Sequence, residues 1–260
     1  MHLPPQLGAI YERIEPFLPA LGAIIATITI LGTSIGVLFG DSESSSDVRS
    51  SSSSNGITAT TTVPLRQGDQ VLVGKTYCTV GYVDAAAGRA YTAGHCLENT
   101  QESPVTVTIN VDGTRVRVGT AHPVAGYDLA ARDRAVDGAV IDFTRPVALE
   151  NTVTHDAPVL DADALALGDT VCFTPQERRR PSCGPIIDVV GATFTIDNGD
   201  VDFGDSGSVG WVRAADGTMR GVAGLLSYMS PDDGGRTTAT FVSLDRVLQG
   251  AGAAGKTVTP

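Results

Sequence analysis

The chain has 260 residues, of which 30 are Gly and only 5% are aromatic, and its formal net charge is −11. That length allows one or two domains with a core of ordinary size, and the negative balance argues against nucleic acid as a partner, since phosphate binding needs Lys/Arg patches. The acidity fits a solubility role, and short runs of Val and Thr among many glycines point to an all-β domain with tight turns.

Residues 1–16 form an N-terminal tail holding Glu12, Arg13 and Glu15. Residues 17–40, FLPALGAIIATITILGTSIGVLFG, carry no charge. As a helix this run would span about 36 Å, enough for a bilayer core of about 30 Å. A signal peptide normally has a basic n-region and an A-x-A-like cleavage site. Neither is present, so the run is read as an uncleaved transmembrane anchor, with secretion after cleavage as the alternative. Arg13 and Arg49 lie on opposite sides, so the positive-inside rule gives little orientation. Residues 41–61 open on DSESSSDVRSSSSSNG, nearly devoid of apolar residues, and read as a flexible Ser-rich linker.

The remaining domain, 62–260, shows short strand candidates at Val71–Val73, Cys78–Val83, Val105–Ile109, Val116–Val118 and Ala139–Phe143. Further ones follow at Thr170–Phe173, Ile186–Val190, Thr193–Ile196, Val209–Val212 and Val222–Leu226. Turn residues separate them at even spacing, which predicts a sandwich or barrel. One late helix is expected at Leu244–Gln249, with Ser243 before it and Gly250 after it as caps. The four cysteines fall into two local pairs, Cys78 with Cys96 and Cys172 with Cys183. Such bridges imply an oxidising compartment, which places the C-terminal side of the anchor outside the cytoplasm. No CxxC pair supports a zinc site, and the sequence supplies no reason to invoke a metal or organic cofactor.

Chemistry-bearing residues occur in the order His95 (in Thr92-Ala93-Gly94-His95-Cys96), Asp137 (before Gly138-Ala139-Val140-Ile141) and Ser206 (in Gly204-Asp205-Ser206-Gly207-Ser208). A Ser hydroxyl is a poor nucleophile until a base takes its proton. Histidine titrates near neutrality and suits that task. A buried carboxylate then fixes the imidazole tautomer. Ser206, His95 and Asp137 are the candidate nucleophile, base and orienting acid. Ser208 is an alternative hydroxyl and Asp128 a rival acid. His122 and His155 sit in polar, turn-like surroundings and read as surface residues.

This ordered set resembles the trypsin/chymotrypsin-like serine proteases. From about Gly68 to Gln249 the chain looks like their bacterial, streptogrisin and α-lytic branch. Cys78-Thr79-Val80-Gly81-Tyr82 and TAGHC resemble its His-bearing loop, Val171-Cys172…Cys183-Gly184 its short disulfide loop, and Gly224-Leu225-Leu226-Ser227 the strand lining its substrate cleft. The resemblance implies two packed six-stranded antiparallel β-barrels with the site between them, and protein or peptide substrates. It also implies an oxyanion hole from the N–H groups of Gly204 and Ser206. Ser227 would support Asp137 through its hydroxyl and pair with substrate through its backbone.

Several residues depart from the family pattern. The usual Cys shortly before the nucleophile is missing from Val201-Asp202-Phe203. Asp200 stands where trypsin-like members carry the acid that binds Lys or Arg, which suggests substrate binding with a lean to basic P1 residues. Tyr228-Met229 follows Ser227 where many relatives have glycine, so a narrowed pocket is expected. No Ile-Val-Gly-Gly start is visible, so folding without zymogen cleavage is expected, and Asp205 would need another cationic partner. The alternative function is a catalytically silent, protease-like interaction module on the membrane. An esterase would share the site, but the G-x-S-x-G elbow is not matched.

Overall fold

The computed structural model describes residues 62–100, 102–128, 136–198, 200–231 and 236–252. The expected anchor at 17–40 and the linker at 41–61 lie outside the described residues. Among the described residues, no helix is long and apolar enough to cross a membrane.

Strands β2 (Gln70–Val73), β3 (Thr76–Thr79), β4 (Tyr82–Asp84), β5 (Arg89–Thr92), β6 (Val105–Val111), β7 (Thr114–Pro123) and β8 (Ala139–Phe143) build one seven-stranded sheet. Its order is β3-β2-β6-β7-β8-β5-β4. Side chains alternate across a strand, and β6 accordingly buries Val105, Val107 and Ile109. These pack with Val71, Val73, Val118 and Ile141 into an aliphatic core. A separate parallel pair joins β1 (Val63–Arg66) to β9 (Val147–Glu150).

The C-terminal half comprises β10 (Thr170–Phe173), β11 (Ser182–Val190), β12 (Thr193–Ile196), β13 (Val209–Arg213), β14 (Met219–Pro231) and β15 (Thr237–Ser243). These close into a barrel in the order β10-β11-β12-β15-β14-β13, with β13 pairing back onto β10. Its core holds three phenylalanines. Phe194 stacks on Phe241 at 5.3 Å between centroids, and Phe173 meets Phe241 edge-on at 5.8 Å, geometries that aromatic quadrupoles favour.

The expectation of two closed six-stranded barrels is therefore corrected: one barrel is closed and the other is a half-barrel. The cause lies at Val80–Gly81. Cys78–Val83 reads as one strand in the sequence but is two, at opposite edges of the sheet. The Val80 N–H bonds to the Asp69 carbonyl beside β2, and the next N–H, of Gly81, bonds to the Tyr91 carbonyl of β5. The backbone thus spans the gap in two residues, and the ladder between β3 and β4 is never made.

Helix α1 (Leu244–Gly250) follows β15 directly. Ser243 occupies the N-cap position, but its side chain makes no cap bond and its hydroxyl is buried without a partner. Burial of Leu244, Val247 and Leu248 holds the helix instead. Gly250 is its last residue and Ala251 the C-cap, one position later than expected. Disulfides Cys78–Cys96 and Cys172–Cys183 both form.

Candidate active site

The half-barrel supplies His95 and Asp137, the candidate base and acid. After β5 the chain extends through Ala93 and enters a single 3-10 turn, Gly94–Leu97. Cys96, buried in that turn, is tied to Cys78 of β3, so His95 sits on a turn fixed at the very next residue. Asp137 lies just ahead of β8 and is 0% exposed. Its Oδ1 accepts the His95 backbone N–H at 2.7 Å, and its Oδ2 lies 2.8 Å from His95 Nδ1. Oδ2 also accepts the Ser227 hydroxyl. Burial alone would push the Asp137 carboxyl up, but the hydrogen bonds and charge of His95, with the bond from Ser227, outweigh it and hold the group below its ordinary range.

That ionised carboxylate can only accept, so the tautomer matched to it carries a proton on Nδ1 and turns the Nε2 lone pair toward Ser206. Ser206 Oγ stands 2.9 Å from Nε2 and donates to it. Ser206 comes from the closed barrel side, on the turn before β13. Gly204 is the third residue of a turn closed by Asp205 N–H onto the Asp202 carbonyl at 3.2 Å, with φ +98°, the left-handed value that a type II turn demands there. Gly207 has φ +88°, and a Cβ on it would lie 2.3 Å from Thr92 Oγ1 and 2.5 Å from the Thr79 carbonyl oxygen. The half-barrel thus presses directly on the nucleophile turn. The Thr79 N–H donates to the Ser206 carbonyl at 2.8 Å, and the Thr79 hydroxyl to the Gly204 carbonyl at 2.8 Å. Among the described residues, the backbone N–H groups of Gly204 and Ser206 meet no acceptor, as a pocket for a developing oxyanion requires.

His95, Asp137, Ser206 and Ser227 are thus brought into one hydrogen-bonded line. A register shift in β14 between Leu226 and Tyr228 lies at Ser227, whose hydroxyl meets Asp137. Asp128 is exposed, and the carboxylate on His95 is that of Asp137. The Ser208 hydroxyl is buried without a partner. His122 binds Asp142 at 2.8 Å, and His155 is exposed.

Asp200 is placed differently from its expected role. Its carboxylate accepts from Arg178 and, at 2.6 Å, from the Ser182 hydroxyl. Ser182, with Arg178 also contributing, holds this carboxyl below its ordinary range. The cleft beside Ser206, about 770 Å³, is lined by Lys75, Tyr77, Asp202, Phe203, Leu226, Tyr228 and Met229 but not by Asp200. Asp205 also differs from expectation. It is 1% exposed, and in place of a cation it has two backbone donors, Gln176 N–H at 2.7 Å on Oδ1 and Asp202 N–H at 2.9 Å on Oδ2. Burial pushes its carboxyl up. Thr79 and Gln176 are the residues that sequence reasoning passed over. The only hint was that Thr79 follows a cysteine already tied to the His95 turn.

No protein-family model matches the chain, and no curated protein matches it. Solved structures do. A glutamic acid specific serine protease that uses a histidine triad in substrate binding aligns with TM-score 0.53 and 16% identity, over 72% of this chain and 98% of its own. Cellulomonas bogoriensis chymotrypsin aligns with TM-score 0.48 and 18% identity, over 73% of this chain and 96% of its own. Thermobifida fusca protease A gives TM-score 0.48 and 18% identity, over 73% and 97%. What the chain shares with the glutamic acid specific serine protease, at this level of identity, is its fold.

Proposed function

We propose that the chain is a serine endopeptidase working through Ser206, His95 and Asp137. The observation that carries this reading is the unbroken line from Asp137 Oδ2 through both His95 nitrogens to Ser206 Oγ. In the reaction, Ser206 Oγ attacks the scissile carbonyl while its proton passes to His95 Nε2. The carbonyl oxygen takes the negative charge and faces the N–H groups of Gly204 and Ser206. His95 then gives the proton to the leaving amine as the C–N bond breaks, leaving an acyl-enzyme on Ser206. Water, deprotonated by the same nitrogen, releases the acid and restores the hydroxyl.

The cleft favours an apolar P1 side chain over a basic one. Phe203, 90% exposed, and Tyr228 and Met229 stand at its wall, Lys75 brings positive charge to it, and the Asp200 carboxylate is already matched by Arg178. Asp202 remains as the acid that a basic side chain would meet. Activation without a cut is supported by β1: Val63 and Leu65 are buried in the core, so cleavage after Arg66 would detach a packed strand. The uncharged run 17–40 supports a membrane tether, and the Cys78–Cys96 and Cys172–Cys183 bridges support a domain outside the cytoplasm. Extraction of the full chain with alkaline carbonate tests that placement, since release from the membrane fraction would discard the tether.

The deciding experiment treats the full chain with a fluorophosphonate probe beside Ser206→Ala, with peptide amides ending in Arg, Phe or Ala. Labelling confined to the unsubstituted protein is expected, with Phe amides cut fastest. Absent labelling of folded protein would replace the enzyme with a silent binding module, and labelling that appears only after a cut near Arg66 would make the chain a zymogen.

A further inference from the structure

We infer that Gln176 is the positioning residue that holds the oxyanion turn in its working shape, a task for which the sequence suggests a cation at Asp205. The inference rests on the serine-protease reading above. Among the described residues Asp205 forms no ion pair with a cationic side chain. Both of its oxygens are used by backbone N–H groups, one from Gln176 and one from Asp202, the residue that opens the turn. The carboxylate thereby clamps the start of the turn to the loop between β10 and β11.

The Gln176 side chain works in the other direction. Its Nε2 donates to the Gly68 carbonyl at 2.6 Å and to Thr79 Oγ1 at 2.9 Å. Thr79 Oγ1, with its oxygen fixed by that bond, donates its own proton to the Gly204 carbonyl. The peptide unit after Gly204 is therefore held at both ends, its carbonyl by Thr79 and its N–H by the Asp202 carbonyl. One amide ties the half-barrel to the turn that presents the Gly204 and Ser206 N–H groups. The loop carrying it is closed at its base by Cys172–Cys183, and it grips the same segment again where Arg178 meets Asp200. A hydrogen-bonded clamp of this kind needs no new chain terminus, which agrees with activation without cleavage.

The test uses the full chain and the rate of fluorophosphonate labelling per titrated Ser206, with kcat and KM on a peptide amide. Gln176→Glu keeps the shape but removes both side-chain donors. Labelling is expected to slow about 10- to 100-fold, as misplacement by about 1 Å can cost 10²-fold. The loss should fall in kcat with KM nearly unchanged, because the oxyanion exists only in the transition state and the intermediate. Asp205→Asn gives an independent arm. It keeps an acceptor for Gln176 but sets an NH2 against the Asp202 N–H, and burial already disfavours the carboxylate, so folding should survive while labelling slows about tenfold or more. Labelling of either folded variant at the unsubstituted rate per titrated site would overturn the inference, even if melting temperature fell. A folded but unlabelled unsubstituted protein would fail earlier, at the serine-protease reading, and remove the inference with it.

Discussion

The two halves of the molecule close themselves by different means, and the difference accounts for where the site lies. The C-terminal barrel closes by hydrogen bonds, strand to strand, around Phe173, Phe194 and Phe241. The N-terminal sheet stays open between β3 and β4, where it is joined by backbone at Val80–Gly81, by the Thr92 hydroxyl on the Thr79 carbonyl and by the nearby Cys78–Cys96 bridge. An edge strand presents unpaired N–H and C=O groups that must find partners. Here the edge of β3 finds them in the nucleophile turn, since Thr79 N–H takes the Ser206 carbonyl and Thr79 Oγ1 the Gly204 carbonyl. The gap in one barrel is the socket for the reactive turn of the other. A fully closed first barrel would leave Ser206 without that contact.

The largest effect should come from the half-barrel carboxylate that meets both His95 and, from the other half, the Ser227 hydroxyl. Asp137→Asn leaves the shape in place but lets the imidazole adopt the wrong tautomer, so kcat should fall by about 10⁴-fold, measured on a peptide amide. A loss under tenfold would mean that another group orients His95. The same variant sharpens the electrostatics. The Asp137 carboxyl titrates below its ordinary value in the fold. Its stabilising contribution is therefore complete above the unfolded carboxylate pKa of about 3.9 and disappears as pH falls through the lower folded value. Urea midpoints taken from pH 6 down to pH 2 should drop for the unsubstituted chain and drop less for Asp137→Asn. Parallel curves would show that the acid sensitivity arises elsewhere.

Two substitutions contrast the modes of closure directly. Phe241→Ala removes the ring that both Phe173 and Phe194 touch and should cost about 3–5 kcal/mol, as large-to-small changes in packed cores do. Replacing both Cys78 and Cys96 by Ser opens a loop of about 19 residues and should cost about 3 kcal/mol. The readouts should differ in kind. Loss of the ring lowers the denaturant midpoint while leaving labelling per folded site near normal. Loss of the bridge frees the 3-10 turn that carries His95, so labelling of Ser206 should slow as well. Equal labelling rates in the two variants would show that the bridge ties the sheet together without positioning the base.

The sequence made the candidate site legible because each of its residues sits in a local pattern that its turn enforces. His95 is followed by a bridged cysteine, Ser206 stands between glycines that take positive φ, and Asp137 opens an apolar strand. Most strands were legible for a similar reason, since a run such as Val105–Ile109 alternates inward and outward. What stayed hidden depends on partners distant in the chain. β5, Arg-Ala-Tyr-Thr, has little alternation of its own and is a strand because β4 and β8 flank it. The break at Val80–Gly81 is invisible without knowing that Asp69 and Tyr91 wait on opposite edges. Asp200 looked like a pocket acid because nothing local reveals that Arg178 takes its carboxylate. Gln176 acts partly through a backbone N–H, which every residue but proline has, and its side-chain amide meets Gly68 and Thr79, 108 and 97 residues earlier, so nothing local marks it.

The smallest expected effect lies at the margin of the half-barrel, where β1 runs parallel to β9. Val63 and Leu65 point into the core, while Arg66 Nε meets Glu150 Oε2 at 3.3 Å with side chains 56% and 61% exposed. Solvent screens such a pair, and ordering two long side chains opposes it, so Arg66→Ala should shift stability by about 0–1 kcal/mol. The shift should shrink in 1 M salt, where the Debye length is about 3 Å. Leu65→Ala on the same strand empties a core position and should cost about 2–5 kcal/mol. Denaturant midpoints of the two variants decide what holds β1 in place. If Arg66→Ala were the more damaging, β1 would be fastened by charge at its rim, and the edge of the half-barrel would be held differently from its packed interior.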